Sequence, residues 1–131
     1  MNPKTILVVD DSAVMRHLNS AVLEEAGYQV LLAGDGQAAL AHIVDTPVDL
    51  VLTDWTMVPM DGCELTRRLR ALPNSAGLPI LVLSTLSSEA SKAEARQAGA
   101  TGWLCKPIEP ETLLDVVGSL MNPARPETGA A

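Results

Sequence analysis

Hydrophobic residues in this chain gather in short unbroken runs, each ended by polar residues. Ile6-Leu7-Val8-Val9 runs into Asp10-Asp11, Leu50-Val51-Leu52-Thr53 into Asp54, Ile80-Leu81-Val82-Leu83 into Ser84-Thr85, and Trp103-Leu104-Cys105 into Lys106-Pro107. Runs of this kind fit strands covered on both faces, as in parallel sheets. Between them, apolar positions recur at helical spacing. Ser12 can cap a helix carrying Val14, Leu18, Ala21 and Val22, closed by Gly27. Tyr28 to Ala33 reads as a shorter, less apolar strand suited to a sheet edge. Gly34-Asp35-Gly36 then turns into a helix through Ala38, Ala39, Leu40, Ile43 and Val44 that stops before Pro47. Leu65, Leu69 and Leu72 mark a third helix, with Arg67, Arg68 and Arg70 on its solvated side. Asn74 to Gly77 is a loop, Ser87 or Ser88 can cap a helix to about Ala98 closed by Gly99, and Pro110 opens a last helix through Leu113, Leu114, Val117 and Leu120.

Five alternations of strand and helix predict an α/β fold, a single five-stranded parallel sheet with five helices on both faces. Ligands of open parallel sheets bind at the carboxyl ends of the strands. Three carboxylates, two hydroxyls and one ammonium are therefore expected to converge on one crevice, which suits a metal ion and a phosphoryl group.

Length and composition narrow the picture. The 131 residues fit one domain, expected over residues 1–121, and the Pro-, Ala- and Gly-rich stretch 122–131 reads as a disordered tail with no room for an output module. There is no Phe, and Trp55, Trp103 and Tyr28 are the only aromatics, so the core must be aliphatic. A formal net charge of −7 argues against a nucleic-acid surface and is easier to reconcile with a cationic partner or a bound divalent ion. Cys63 and Cys105 have neither metal-ligand nor redox spacing and read as reduced thiols. No leader or membrane-spanning stretch is legible, so a cytoplasmic protein without membrane insertion is expected. His17 and His42 read as exposed helix residues.

The strand ends carry the chemistry. Asp10, Asp11 and Asp54 supply hard oxygen ligands of the kind Mg²⁺ takes together with water and phosphate oxygens. Without a cation, three crowded carboxylates would raise at least one pKa by mutual repulsion, and Lys106 stands where it could offset that.

In these residues the chain resembles the receiver domain of bacterial two-component response regulators, particularly the stand-alone chemotaxis type. The matching stretches are Val8 to Ser12, Asp54 with Met57 and Met60-Asp61-Gly62, Pro79 to Ser84, Ala98-Gly99-Ala100, and Trp103 to Pro107. The resemblance covers roughly residues 4 to 121. It implies a flavodoxin-like sheet of order 2-1-3-4-5, an order the chemotaxis regulator exemplifies. It also implies that Asp54 takes a phosphoryl group from a histidine kinase or histidine phosphotransfer domain. Asp10, Asp11, Asp54 and the backbone carbonyl of Thr56 would hold Mg²⁺, for which Mn²⁺ can substitute. Lys106 and Ser84 would sense the phosphoryl group, Trp103 would be either the switch aromatic or a packed core indole, and Thr85, Met57 and Pro107 would border the site. The Lys106–Pro107 bond is expected to be cis.

Three positions depart from the family pattern. Trp103 stands where Tyr or Phe is usual, Val58 intervenes before Pro59 in the loop after Asp54, and Thr85 replaces the usual Ala. The bulk of Thr85 leads to the expectation of a longer-lived phosphoryl group. The helix ending near Ala98 offers mostly alanines inward (Ala90, Ala93, Ala95 and Ala98), so it should be loosely held. It is expected, with the fifth strand and last helix, to form the face that changes on phosphorylation and meets a downstream target. The protein is expected to be a monomer and not a conventional enzyme. Two other classes are a receiver-fold binding module without phosphorylation and a flavin carrier. Intact Asp10, Asp11, Asp54, Ser84 and Lys106 speak against the first, and the scarcity of aromatics and of a Gly/Ser/Thr phosphate loop against the second.

Overall fold

A computed structural model describes residues 3–73, 75, 77–86 and 88–121. The elements are β1 (Thr5–Val9), α1 (Ala13–Glu25), β2 (Gln29–Ala33), α2 (Gly36–Asp45), β3 (Leu50–Asp54), α3 (Gly62–Ala71), β4 (Ile80–Ser84), α4 (Glu89–Ala98), β5 (Gly102–Cys105) and α5 (Pro110–Met121). All pairings are parallel and the sheet order is β2-β1-β3-β4-β5, as expected. The stretch 122–131, read as a tail, lies outside the described residues, as does Ser87.

The continuous apolar runs work because successive strand residues point to opposite faces. Ile6, Val8, Leu50 and Leu52 pack with Leu23 of α1 and with Leu113 and Val117 of α5. Leu7, Val9 and Val51 pack on the other side with Ala39 of α2 and with Leu65 and Leu69 of α3. Every residue of β3 and β4 is buried, whereas β2 at the edge is partly open. The helices begin where side chains satisfy their first N–H groups: Ser12, Asp35, Asp61 and Ser88 each accept a hydrogen bond three residues on. Gly99 closes α4 at φ +112°, a conformation that a side chain would strain.

Four expectations need correction. In α1, Val14 and Leu18 are 67% and 57% exposed, and Ala21 is exposed too. Of the expected positions, Val22 does pack on the core, beside the buried Leu23, and Ser20 is buried too. A helical period reveals a stripe but not which of two adjacent stripes docks. Arg70 is not on a solvated face: it is half-buried and donates from Nε to the Gly99 carbonyl (2.9 Å) and from Nη1 to the Ser75 carbonyl (2.8 Å). His42 is half-buried, with Nε2 3.0 Å from the Leu32 carbonyl oxygen, while His17 is exposed. Of the four α4 alanines, only Ala95 and Ala98 are buried, and Ala90 is exposed.

Candidate functional site

Parallel strands in register bring the predicted polar ends together. β3 lies between β1 and β4, so Asp54 ends the central strand with Asp10 on one side and Ser84 on the other. Ligand oxygens of Asp10, Asp11 and Asp54 lie within 4.8 Å of one another, a cluster that could hold a metal ion. Asp10 and Asp54 are buried, and Asp11 is exposed. Lys106 reaches over from β5, its Nζ 3.0 Å from Asp54 Oδ1 and 3.8 Å from Asp10 Oδ2. The Lys106–Pro107 bond is cis, as is Val58–Pro59.

Burial raises the pKa of the Asp10 carboxyl above its ordinary value. The Ser12 N–H, donating to Oδ1 at 2.9 Å, opposes that rise, Asp54 adds to it, Lys106 opposes it, and Asp11 adds the rest. Repulsion was the expected cause, yet loss of water is the larger one.

Ser84 is buried, and its Oγ accepts the Leu86 N–H at 2.9 Å. The Lys106 N–H donates to the Ser84 carbonyl at 2.7 Å, tying the ends of β4 and β5. Thr85, next in sequence, is exposed, Thr56 is exposed in the bend after Asp54, and Met57 is buried in the core. Pro107 is exposed. Trp103 is half-buried and meets Trp55 edge-on with ring centroids 5.2 Å apart, against the buried alanines of α4. Its Nε1 is buried and has no hydrogen-bond partner among the described residues.

Gly62 sets the start of α3 against the site. A Cβ there would come within 2.5 Å of the Asp54 carbonyl oxygen and 2.8 Å of Trp55 Cα, so only glycine admits this approach. One residue near the site was missed from sequence. Arg16 of α1 donates from Nη1 to the Asp10 backbone carbonyl at 2.6 Å. Its only sequence signal was its place one turn beyond the Ser12 cap.

A buried carboxylate beside an ammonium, with two more carboxylates at hand, can bind a divalent ion and place a nucleophilic oxygen against an electrophilic phosphorus. The family profile described as "Response regulator receiver domain" matches residues 6–118. The chain belongs to the response regulator receiver family. This receiver is 33% identical over 116 residues to Protein PilH of Pseudomonas aeruginosa, covering 88% of this chain and 96% of PilH. It is 40% identical over 111 residues to the phosphate regulon transcriptional regulatory protein PhoB of the same organism, covering 85% of this chain but only 48% of PhoB. Among solved structures, Vibrio cholerae chemotaxis protein CheY4 superposes with a TM-score of 0.89 at 39% identity, covering 91% of this receiver and 99% of that chain. Among the described residues, no helix is long and apolar enough to cross a membrane.

Proposed function

We propose that this receiver is a phosphorylation-controlled switch. Asp54 accepts a phosphoryl group from a histidine kinase or histidine phosphotransfer domain, and the phosphorylated form changes its binding to a partner. An Asp54 carboxylate oxygen attacks phosphorus, the P–N bond of the donor phosphohistidine breaks, and its electron pair stays on the departing imidazole nitrogen. Asp10, Asp11, Asp54 and the Thr56 carbonyl would hold Mg²⁺ or Mn²⁺, which supplies neutralising charge for the phosphoryl oxygens. Lys106, already paired with Asp54, moves its ammonium onto a phosphoryl oxygen. The Ser84 hydroxyl donates to another, and Trp103 is the aromatic that responds. Thr85, Met57 and Pro107 shape the border.

The observation that carries this reading is Lys106 Nζ at 3.0 Å from Asp54 Oδ1, beside carboxylates whose oxygens lie within 4.8 Å of each other. The similarity to PilH over nearly its whole length and to CheY4 supports a receiver unit over residues 1–121 in chemotaxis-type signalling. In this reading the protein is a cytoplasmic monomer that assists its own phosphorylation and dephosphorylation without being a conventional enzyme. Its output face is formed by α4, β5 and α5.

Acetyl phosphate with Mg²⁺ provides the test. The wild type should become phosphorylated and the fluorescence of Trp55, next to the acceptor, should change. Asp54→Ala, or removal of Mg²⁺ by a chelator, should abolish both, and Lys106→Ala should slow or uncouple the response. Equal phosphorylation of wild type and Asp54→Ala would sink the reading.

A further inference from the structure

Arg16 has no part in the chemistry above, yet its guanidinium reaches the acidic cluster. Its Nη1 donates to the Asp10 carbonyl oxygen at 2.6 Å. That oxygen belongs to the peptide unit that joins Asp10 to Asp11. The unit is planar, so holding its oxygen fixes the direction in which Asp11 leaves it. The guanidinium also lies against Gly34, where a Cβ would come within 3.2 Å of Nη1 and 3.6 Å of Cζ. The Arg16 backbone N–H donates to the Ser12 carbonyl, and the Asp10 N–H donates to the Ala33 carbonyl. The ends of β1 and β2 and the first turn of α1 are thus joined around this one side chain. The charges bearing on the Asp10 carboxyl are Asp54, Lys106 and Asp11; Arg16 addresses the main chain instead.

We propose that Arg16 is a positioning residue for metal binding: its hydrogen bond presets the Asp10–Asp11 peptide so that both carboxylates face one ion. The inference rests on the reading of Asp10, Asp11 and Asp54 as the Mg²⁺ site. Charge and position predict opposite signs. A guanidinium repels a nearby divalent cation, so losing its charge alone leaves Mg²⁺ binding unchanged or tighter. Losing its hydrogen bond makes the ion order the ligands itself, and binding weakens.

The experiment titrates Mg²⁺ alone into the full chain, followed by calorimetry and by Trp55 fluorescence. It compares wild type, Arg16→Met, Arg16→Lys and Asp11→Ala, each checked for cooperative thermal unfolding in Mg²⁺-free buffer. Arg16→Met keeps an unbranched apolar stem over Gly34 and removes the donor. It should weaken Mg²⁺ binding roughly tenfold, the net worth of one hydrogen bond. Arg16→Lys, which keeps a donor, should recover part of the loss. In the Mg²⁺-free protein, amide exchange at Asp11 and Ser12 should be faster in Arg16→Met than in wild type. Mg²⁺ affinity in Arg16→Met equal to or tighter than wild type overturns the proposal while leaving the metal site standing. If wild type binds no Mg²⁺, or Asp11→Ala binds it as well as wild type does, the metal-site reading falls and this inference with it.

Discussion

Helices α3 and α4 are neighbours of equal length, ten residues each, and they are held in opposite ways. α3 buries Gly62, Cys63, Leu65, Thr66 and Leu69, and begins against the backbone of Asp54 and Trp55. α4 buries only Ala95 and Ala98, although Arg70 pins its C-terminal Gly99. A buried leucine withdraws far more apolar area from water than a buried alanine. One helix is thus held by buried leucines against the backbone of Asp54, and the next by two alanines packed on Trp55 and Val82. On the proposed reading, such a division would let the ligands stay fixed while the α4 face moves.

The largest expected effect tests this contrast in stability. Leu69→Ala should cost about 3 kcal/mol in urea unfolding, by lost transfer energy plus a cavity. Ala95→Gly in α4 should cost only about 1 kcal/mol, mostly helix propensity. Equal costs would erase the distinction between the helices.

A second effect concerns the fixed side of the site. In the folded metal-free protein, burial raises the Asp10 carboxyl pKa above its unfolded value. Folding then favours its protonated form, so this contribution to stability is fully present below the unfolded pKa and is lost as pH rises through the folded one. At neutral pH without metal, Asp10→Asn should therefore raise the unfolding midpoint, and the gain should shrink as pH falls below the carboxylate range. A destabilised Asp10→Asn at neutral pH would mean that Lys106 and Ser12 outweigh burial.

The movable side can be sharpened by hydrogen exchange with and without Mg²⁺ and beryllofluoride. Amides of α4, β5 and α5 should change protection, and those of α3 should change least. Uniform changes across both helices would break the comparison. The smallest expected effect is kinetic: Thr85→Ala should shorten the life of phosphorylated Asp54 by a few fold, with no change in unfolding, because Thr85 is exposed. An unchanged dephosphorylation rate would remove Thr85 from the site's kinetics.

Much was legible in the chain before folding. Unbroken runs such as Ile80 to Leu83 announced strands buried on both faces, Ser12 and Gly99 marked helix ends, and Asp10, Asp11, Asp54, Ser84 and Lys106 stood at strand termini where a parallel sheet gathers them. Parallel direction puts them on one edge of the sheet, and the strand order β1-β3-β4-β5 makes them neighbours. The docking face of α1 was not legible, because Val14 and Leu18 repeat at the same period as the stripe that packs. Only the sheet beneath decides between adjacent stripes. Nor were the partners of Arg16, His42 and Arg70, which meet the backbone carbonyls of Asp10, Leu32 and Gly99. Every residue carries such a carbonyl, so side-chain chemistry gives no hint of which one will be met. Distance alone selects it, and that distance exists only once β1, β2 and the turn after α4 are in place.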